Sequence, residues 1–149
     1  DYPQGFHFTG IGHSQLIPVC SPTHPLAELE TISYADLRQH RQLISHSLAP
    51  ESNRHTREYT SPQIWTGEGP FLVLDLVISG LGWSELPWTV VSEKLESGAL
   101  QRLRYDYLQS QILQGVDVVW TDKRALGPSA LWLQQKLLNL PPKLWVEPI

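Results

Sequence analysis

Trp83 and Glu85 stand two apart in the stretch WSELP, so an extended chain projects both to the same side. A carboxylate in an otherwise apolar strand is costly unless paired or solvated. Glu85 therefore faces a cleft, where it bonds a ligand or bridges two lobes, or it lies on a short edge strand in water or beside a surface Lys or Arg. A second candidate is TGEGP, Thr66 to Pro70, just ahead of an apolar helix pattern. The free N–H groups of a helix's first turn attract carboxylate or phosphate. Thr66, Gly67 and Glu68 would line such a site, although Glu68 can itself satisfy the positive helix end and repel an anion. Ser45 and His46, in SHS at a strand end, offer hydroxyl and imidazole groups to a pocket; a capped surface turn is the alternative. Leu81, between Gly80 and Gly82, joins the candidates because open α/β sheets bind ligands at strand ends. Compact helix–strand packing explains the same glycines without a ligand.

Other chemistries find less support. Cys20 and His24 could pair as nucleophile and base, but no third orienting group is evident and no Gly-x-Ser-x-Gly elbow occurs. A lone cysteine more often packs as a small hydrophobe, and it has no resolving partner for a redox role. The 6 histidines show no metal-ligand spacing. GIGHSQ lacks the third glycine and the strand-to-helix setting of a dinucleotide site, and no Walker loop appears. The expectation is a protein without metal or cofactor, and not an enzyme.

The elements that must position these residues follow from pattern. Residues 1–15 read as loop and QLIPVC, 15–20, as a strand interrupted by Pro18, hence at an edge or crossing between substructures. Ser33 and Asp36 have capping-box spacing, which predicts a helix over 31–40, and a second strand follows at 42–47. A helical turn is expected around Ser52 to Tyr59, then a strand ending at Gly67. Pro70 suits the first turn of a helix over 70–79 that is apolar nearly all round and therefore buried in a core or against a second subunit. Gly80 fits the left-handed position after that helix, and Gly82 removes bulk where the chain enters WSELP. Helix 88–97, strands at LQRLR and 116–122, and a last helix over 128–140 complete the series. Such alternation predicts α/β architecture with mostly parallel pairing.

Composition bounds the function. The 149 residues suit one domain or two small lobes, and 41% hydrophobic with 17% charged residues is ordinary for a folded chain. A net charge of -4 leaves no basic footprint for direct nucleic-acid contact. One cysteine fits a reducing compartment, and no apolar run reaches the roughly 18 residues needed to span a bilayer. With no methionine and no signal-like start, the expectation is a cytoplasmic fragment of a longer protein.

Several segments, in order, resemble the effector-binding domain of LysR-type transcriptional regulators. They are LIPVCSPTHPLA (16–27), ISYADLRQHRQLIS (32–45), FLVLDLVISGLGWSELP (71–87), LESGALQRL (95–103) and VVWTDKRALGPSALWLQQKLL (118–138). The resemblance implies a two-lobed, periplasmic-binding-protein-like type II fold, with the first lobe incomplete. Residues 1–19 would belong to the first lobe and a crossover strand, 20–99 to the second lobe, and 100–149 to the return crossover and rest of the first. It also implies a small-molecule effector between the lobes, a carboxylate if the turn at 66–70 receives it, and a homodimer or homotetramer. DNA would be contacted only through a helix-turn-helix domain absent from this chain. A transporter's solute-binding receptor and a small α/β enzyme remain the alternatives. Trp83 and Glu85 depart from the small aliphatic residues usual after the family's Gly-x-Gly.

Overall fold

A computed structural model of the chain describes residues 5–46, 59–108, 111–121 and 123–148. The expected helical turn at 52–59 lies, but for Tyr59, outside them. Two compact units are present, Leu16–Ile112 and Asp1–Gln15 with Leu113–Ile149. The larger contains the 20–99 segment expected as the second lobe.

Strand β1 covers Phe6–Cys20 and passes from one unit into the other, where the pattern shows loop before residue 15. The difference has a simple cause. Burial alternates in β1 only from Gln15 onward, so its first part carries no inside–outside rhythm to read. Pro18 is in this crossing strand, but not at an edge, since β1 is paired on both sides. N–H and C=O of one strand residue point to the same side, and the Pro18 carbonyl accepts from Leu103 N–H at 2.8 Å. The missing donor thus faces the end of a two-residue strand, Gln101–Arg102, where the ladder stops anyway.

In the larger unit the elements alternate as the pattern predicts. After a 3-10 turn at Pro25–Glu28 come α1 (Tyr34–Gln39), β2 (Gln42–His46), β3 (Ile64–Glu68), α2 (Gly69–Ile78), β4 (Ser84–Pro87), α3 (Trp88–Glu96) and β5 (Gln101–Arg102). The capping box forms: Ser33 Oγ accepts from Asp36 N–H at 3.2 Å while the Asp36 carboxylate accepts from Ser33 N–H at 2.9 Å. β2 and β3 pair in parallel, and a parallel bridge from Gln42 to Trp83 sets β4 in the same direction. β1 is antiparallel to both β4 and β5. β2 to β5 therefore all run one way, and β1 alone opposes them.

Two apolar clusters hold this unit. Ile17, Val19, Leu43, Val73, Leu74, Val77, Leu86, Val91 and Leu100 form one, between sheet and α2 and α3. Cys20, Leu26, Ile32, Leu37, Trp83 and Leu103 form the other, under α1. α2 turns Val73, Leu74 and Val77 inward, but Phe71 is 69% exposed, so the helix is sunk on one side rather than on most. Gly80 takes φ +76 at its end, as expected. A Cβ on Gly82 would collide with the Arg41 carbonyl oxygen, so β2 can approach the chain there only past a glycine.

In the smaller unit β6 (Ile112–Thr121) pairs with β1, and α4 (Pro128–Leu138) follows. Gln15 N–H donates to the Trp145 carbonyl at 3.0 Å, and the Gln15 side-chain oxygen accepts from Glu147 N–H at 2.9 Å. No described residue of α4 is buried; Leu131, Trp132 and Leu133 are all exposed.

Candidate functional site

A cavity of about 430 Å³ opens within the larger unit. Leu16, Leu43, Ile44, Leu108 and Ile112 give it apolar walls, while Gln42, Thr60, Ser84 and Glu85 supply polar groups and Tyr34, Tyr105 and Tyr107 supply rings. That mix of apolar lining and few convergent polar groups is what a small-molecule site requires.

Each side chain is set by local structure. Glu85 lies in β4 opposite Pro18 of β1. Tyr34 opens α1 directly behind the capping box. Residues 104–106 pair with Ile32 through two backbone bonds, of 2.7 and 3.0 Å, which brings Tyr105 and Tyr107 beside Tyr34. The rings of Tyr105 and Tyr107 stack at 5.1 Å with 13° between planes, and Tyr34 meets Tyr107 edge-on at 6.2 Å and 78°. The Tyr105 hydroxyl donates to Glu85 Oε1 at 3.0 Å. Gln42 Oε1 accepts from the N–H groups of Thr60 and Ser61 at 2.9 and 3.2 Å, tying the segment after the undescribed loop residues to β2. Ser84 Oγ donates to the Leu43 carbonyl at 2.6 Å, which ties β4 to β2.

Electrostatics keep the phenols neutral. Burial, then the Glu85 charge and its hydrogen bond, push Tyr105 far above the ordinary tyrosine value. Burial, then Glu85, Tyr34 and Asp106, push Tyr107 up to about 12. The phenols of Tyr105 and Tyr107 therefore keep their protons to higher pH than an ordinary tyrosine.

Of the residues singled out in the sequence, Glu85 lines the cavity. Trp83 does not. It is fully buried in the cluster under α1, where its Nε1–H donates to the Leu37 carbonyl at 3.2 Å. Tyr105 packs against that cluster and also bonds Glu85. Ser45 and His46 come together with Gly67 and Glu68, opposite one another at the C-terminal ends of β2 and β3. Thr66 sits opposite Ile44 and is exposed. Glu68 precedes α2 without a side-chain capping bond, and His46 Nδ1 is buried with no hydrogen-bond partner among the described residues. Leu81 lies apart at the end of α2, 37% exposed, its carbonyl accepting from Arg41 Nη1 at 3.3 Å.

Cys20 is fully buried, and desolvation pushes its thiol up to about 11. His24 caps the 3-10 turn, its Nδ1 accepting from Leu26 N–H at 3.2 Å, and meets the His40 ring at 5.0 Å rather than the thiol. Among the described residues no group of His, Cys, Asp or Glu could hold a metal, and no helix is long and apolar enough to cross a membrane. Sequence reasoning missed the three tyrosines. Tyr105 and Tyr107, two apart in YDY, carried the same one-sided signal as Trp83 and Glu85.

Strands β2 to β5 running one way, the crossing β1 opposed to them and helices alternating with them place the chain in the type II periplasmic-binding-protein-like α/β class. Solved structures agree. The effector-binding domain of QuiR, in complex with shikimate, superposes with TM-score 0.67 at 15% identity, covering 98% of this chain and 71% of that one. The regulatory domain of Synechocystis CcmR, in complex with 2-PG, gives TM-score 0.67 at 16% identity, covering 93% and 69%. A family profile, the LysR substrate binding domain, matches residues 2–140, and the chain belongs to that family. The HTH-type transcriptional regulator AceR of Acinetobacter baumannii is 28% identical over 137 residues. The match takes in 89% of this chain and 44% of AceR, so the chain spans less than half of that relative.

Proposed function

We propose that this chain is the ligand-sensing regulatory domain of a LysR-type transcriptional regulator, non-enzymatic and cytoplasmic, acting as a homodimer or homotetramer. A small-molecule effector would bias the arrangement of subunits, and DNA would be contacted by a helix-turn-helix domain outside these residues. QuiR with shikimate and CcmR with 2-PG support sensing of a small molecule, and AceR supports regulation over transporter reception. The single observation that carries the reading is the tyrosine-lined cavity with Glu85 at its wall. Ser45, His46, Gly67 and Glu68 form a second polar group at strand ends, where open α/β sheets receive ligands. Leu81 and Trp83 lie outside both groups, and Thr66 precedes Gly67 in β3 and is exposed.

A ligand that binds only the folded state raises stability by about 2.7 kcal/mol at a hundred times its Kd. A thermal-shift screen of carboxylates, amino acids, aromatic acids and amines should therefore find compounds that raise the midpoint. Glu85→Ala should remove that shift. A shift untouched by the substitution would move the site away from this cavity.

A further inference from the structure

We infer that the cavity of the larger unit takes a ligand built on a flat aromatic ring, recognised by the corner that the rings of Tyr34 and Tyr107 make. The inference rests on the sensing role proposed above and names the ligand class for that site.

Three observations converge on it. First, the rings are set as an aromatic guest requires. Tyr34 and Tyr107 both line the cavity, with centroids 6.2 Å apart and 78° between planes. Aromatic pairs prefer offset-stacked or edge-to-face arrangements at about 4.5–7 Å. Against two rings near a right angle, a flat guest lying parallel to one stands edge-on to the other, so a single pose meets both preferences. A saturated ring of the same size has no π face and gains neither.

Second, the corner is braced and yet uncovered. Tyr105 stacks on Tyr107 at 5.1 Å and 13° and is itself tied down by its hydroxyl bond to Glu85 Oε1. Tyr34 is held by the helix start behind the capping box. Little ordering is therefore left for a ligand to impose, which favours binding. Tyr34 is nonetheless 47% exposed and Tyr107 49%, so a guest ring would take large apolar faces out of water.

Third, the rest of the wall suits an apolar body. Leu16, Leu43, Ile44, Leu108 and Ile112 supply aliphatic surface. Two polar neighbours are engaged in building the wall: Ser84 Oγ donates to the Leu43 carbonyl, and the Gln42 side-chain oxygen accepts from Thr60 and Ser61 N–H. About 430 Å³ lies in the range of small-molecule sites and leaves room for a one- or two-ring body.

Pairs matched in charge test the ring alone. Titration calorimetry near pH 7 would compare 3-phenylpropanoate with 3-cyclohexylpropanoate, and then the corresponding amides and the corresponding amines. Cyclohexyl is the more water-averse ring, so burial by itself favours it, and only ring geometry favours phenyl. In the pairs that bind, phenyl should bind at least about threefold more tightly. Tyr107→Leu and Tyr34→Leu each remove one wall of the corner, and in at least one of them the ratio should fall to one or below, while Tyr107→Phe should keep it. Each ratio is taken within one protein, so a general weakening cancels, and Tyr34→Leu at the exposed start of α1 guards against a Tyr107 variant that fails to fold. Equal or tighter binding of the cyclohexyl members overturns the inference and leaves sensing intact. So does a phenyl preference unchanged in both Leu variants, and so does a wider screen in which only compounds without an aromatic ring bind. Absence of binding by every compound overturns both.

Discussion

Cys20 shows how one residue's surroundings decide its chemistry. The reactive species is the thiolate, and a pKa near 11 instead of 9.0 leaves about a hundredfold less of it near neutral pH. The side chain also has no exposed surface. Folded protein should therefore react with a disulfide reagent at pH 7 at least about a hundredfold more slowly than protein in denaturant. Equal rates would return Cys20 to the list of nucleophiles. At this scale legibility depended on sequence distance. The Ser33–Asp36 box is complete within four residues, and its side chains bond as the spacing promised. The contact between Tyr34 and Tyr107 spans more than seventy positions and is created by backbone pairing of residues 104–106 with Ile32. No local pattern announces it. Glu85 was visible because a charge inside an apolar strand is anomalous wherever the strand lies; Trp83, beside it, is an aromatic doing the ordinary work of a core.

Among the elements, α2 separates composition from placement. Its apolar circumference suggests burial on most sides, yet Val73, Leu74 and Val77 form the buried side while Phe71 and Leu72 face outward. A charge at Leu74 would thus enter the core and not a subunit contact. Leu→Ala in a core already costs about 2–5 kcal/mol, so Leu74→Glu should lower the melting temperature sharply or prevent folding. Phe71→Ser removes no buried contact and should change stability by no more than about 0.5 kcal/mol. Thermal melts of the two variants decide this, and sedimentation of Phe71→Ser reports separately on any association through the exposed side. Comparable losses in both would mean that α2 is covered all round. The other elements were legible because turn chemistry punctuates them: Pro70 inside the start of α2, Gly80 past its end, Pro87 ahead of α3. The first part of β1 was not, since it buries nothing before Gln15.

At the scale of the whole molecule, burial is divided unequally between the two units. Both apolar clusters belong to Leu16–Ile112, whereas α4 of the other unit has no buried residue and carries Leu131, Trp132 and Leu133 in the open. Local opening is easiest where few apolar contacts must break, so hydrogen exchange should divide the chain along the same line. Amides of Val73 to Val77 in α2, and of Ile17, Val19 and Cys20 in the buried end of β1, should be among the slowest. Amides of α4 should exchange orders of magnitude faster, since the helix has 11 residues and isolated helices shorter than about 12–15 are marginal in water. Equal protection in α4 and α2 would show that something covers Leu131 to Leu133. Repeating the measurement at tenfold lower protein concentration then tells a second copy, whose protection fades, from the chain's own packing, whose protection does not. The division also bears on signalling. An effector shifts an equilibrium only by its unequal affinity for two states, typically about 1–3 kcal/mol. A ligand confined to the cavity of the larger unit should slow exchange around Tyr34, Glu85 and Tyr105 first. Slowed exchange in α4 on adding that ligand would be direct evidence that the smaller unit shares in the response, and unchanged exchange there would confine the response to Leu16–Ile112.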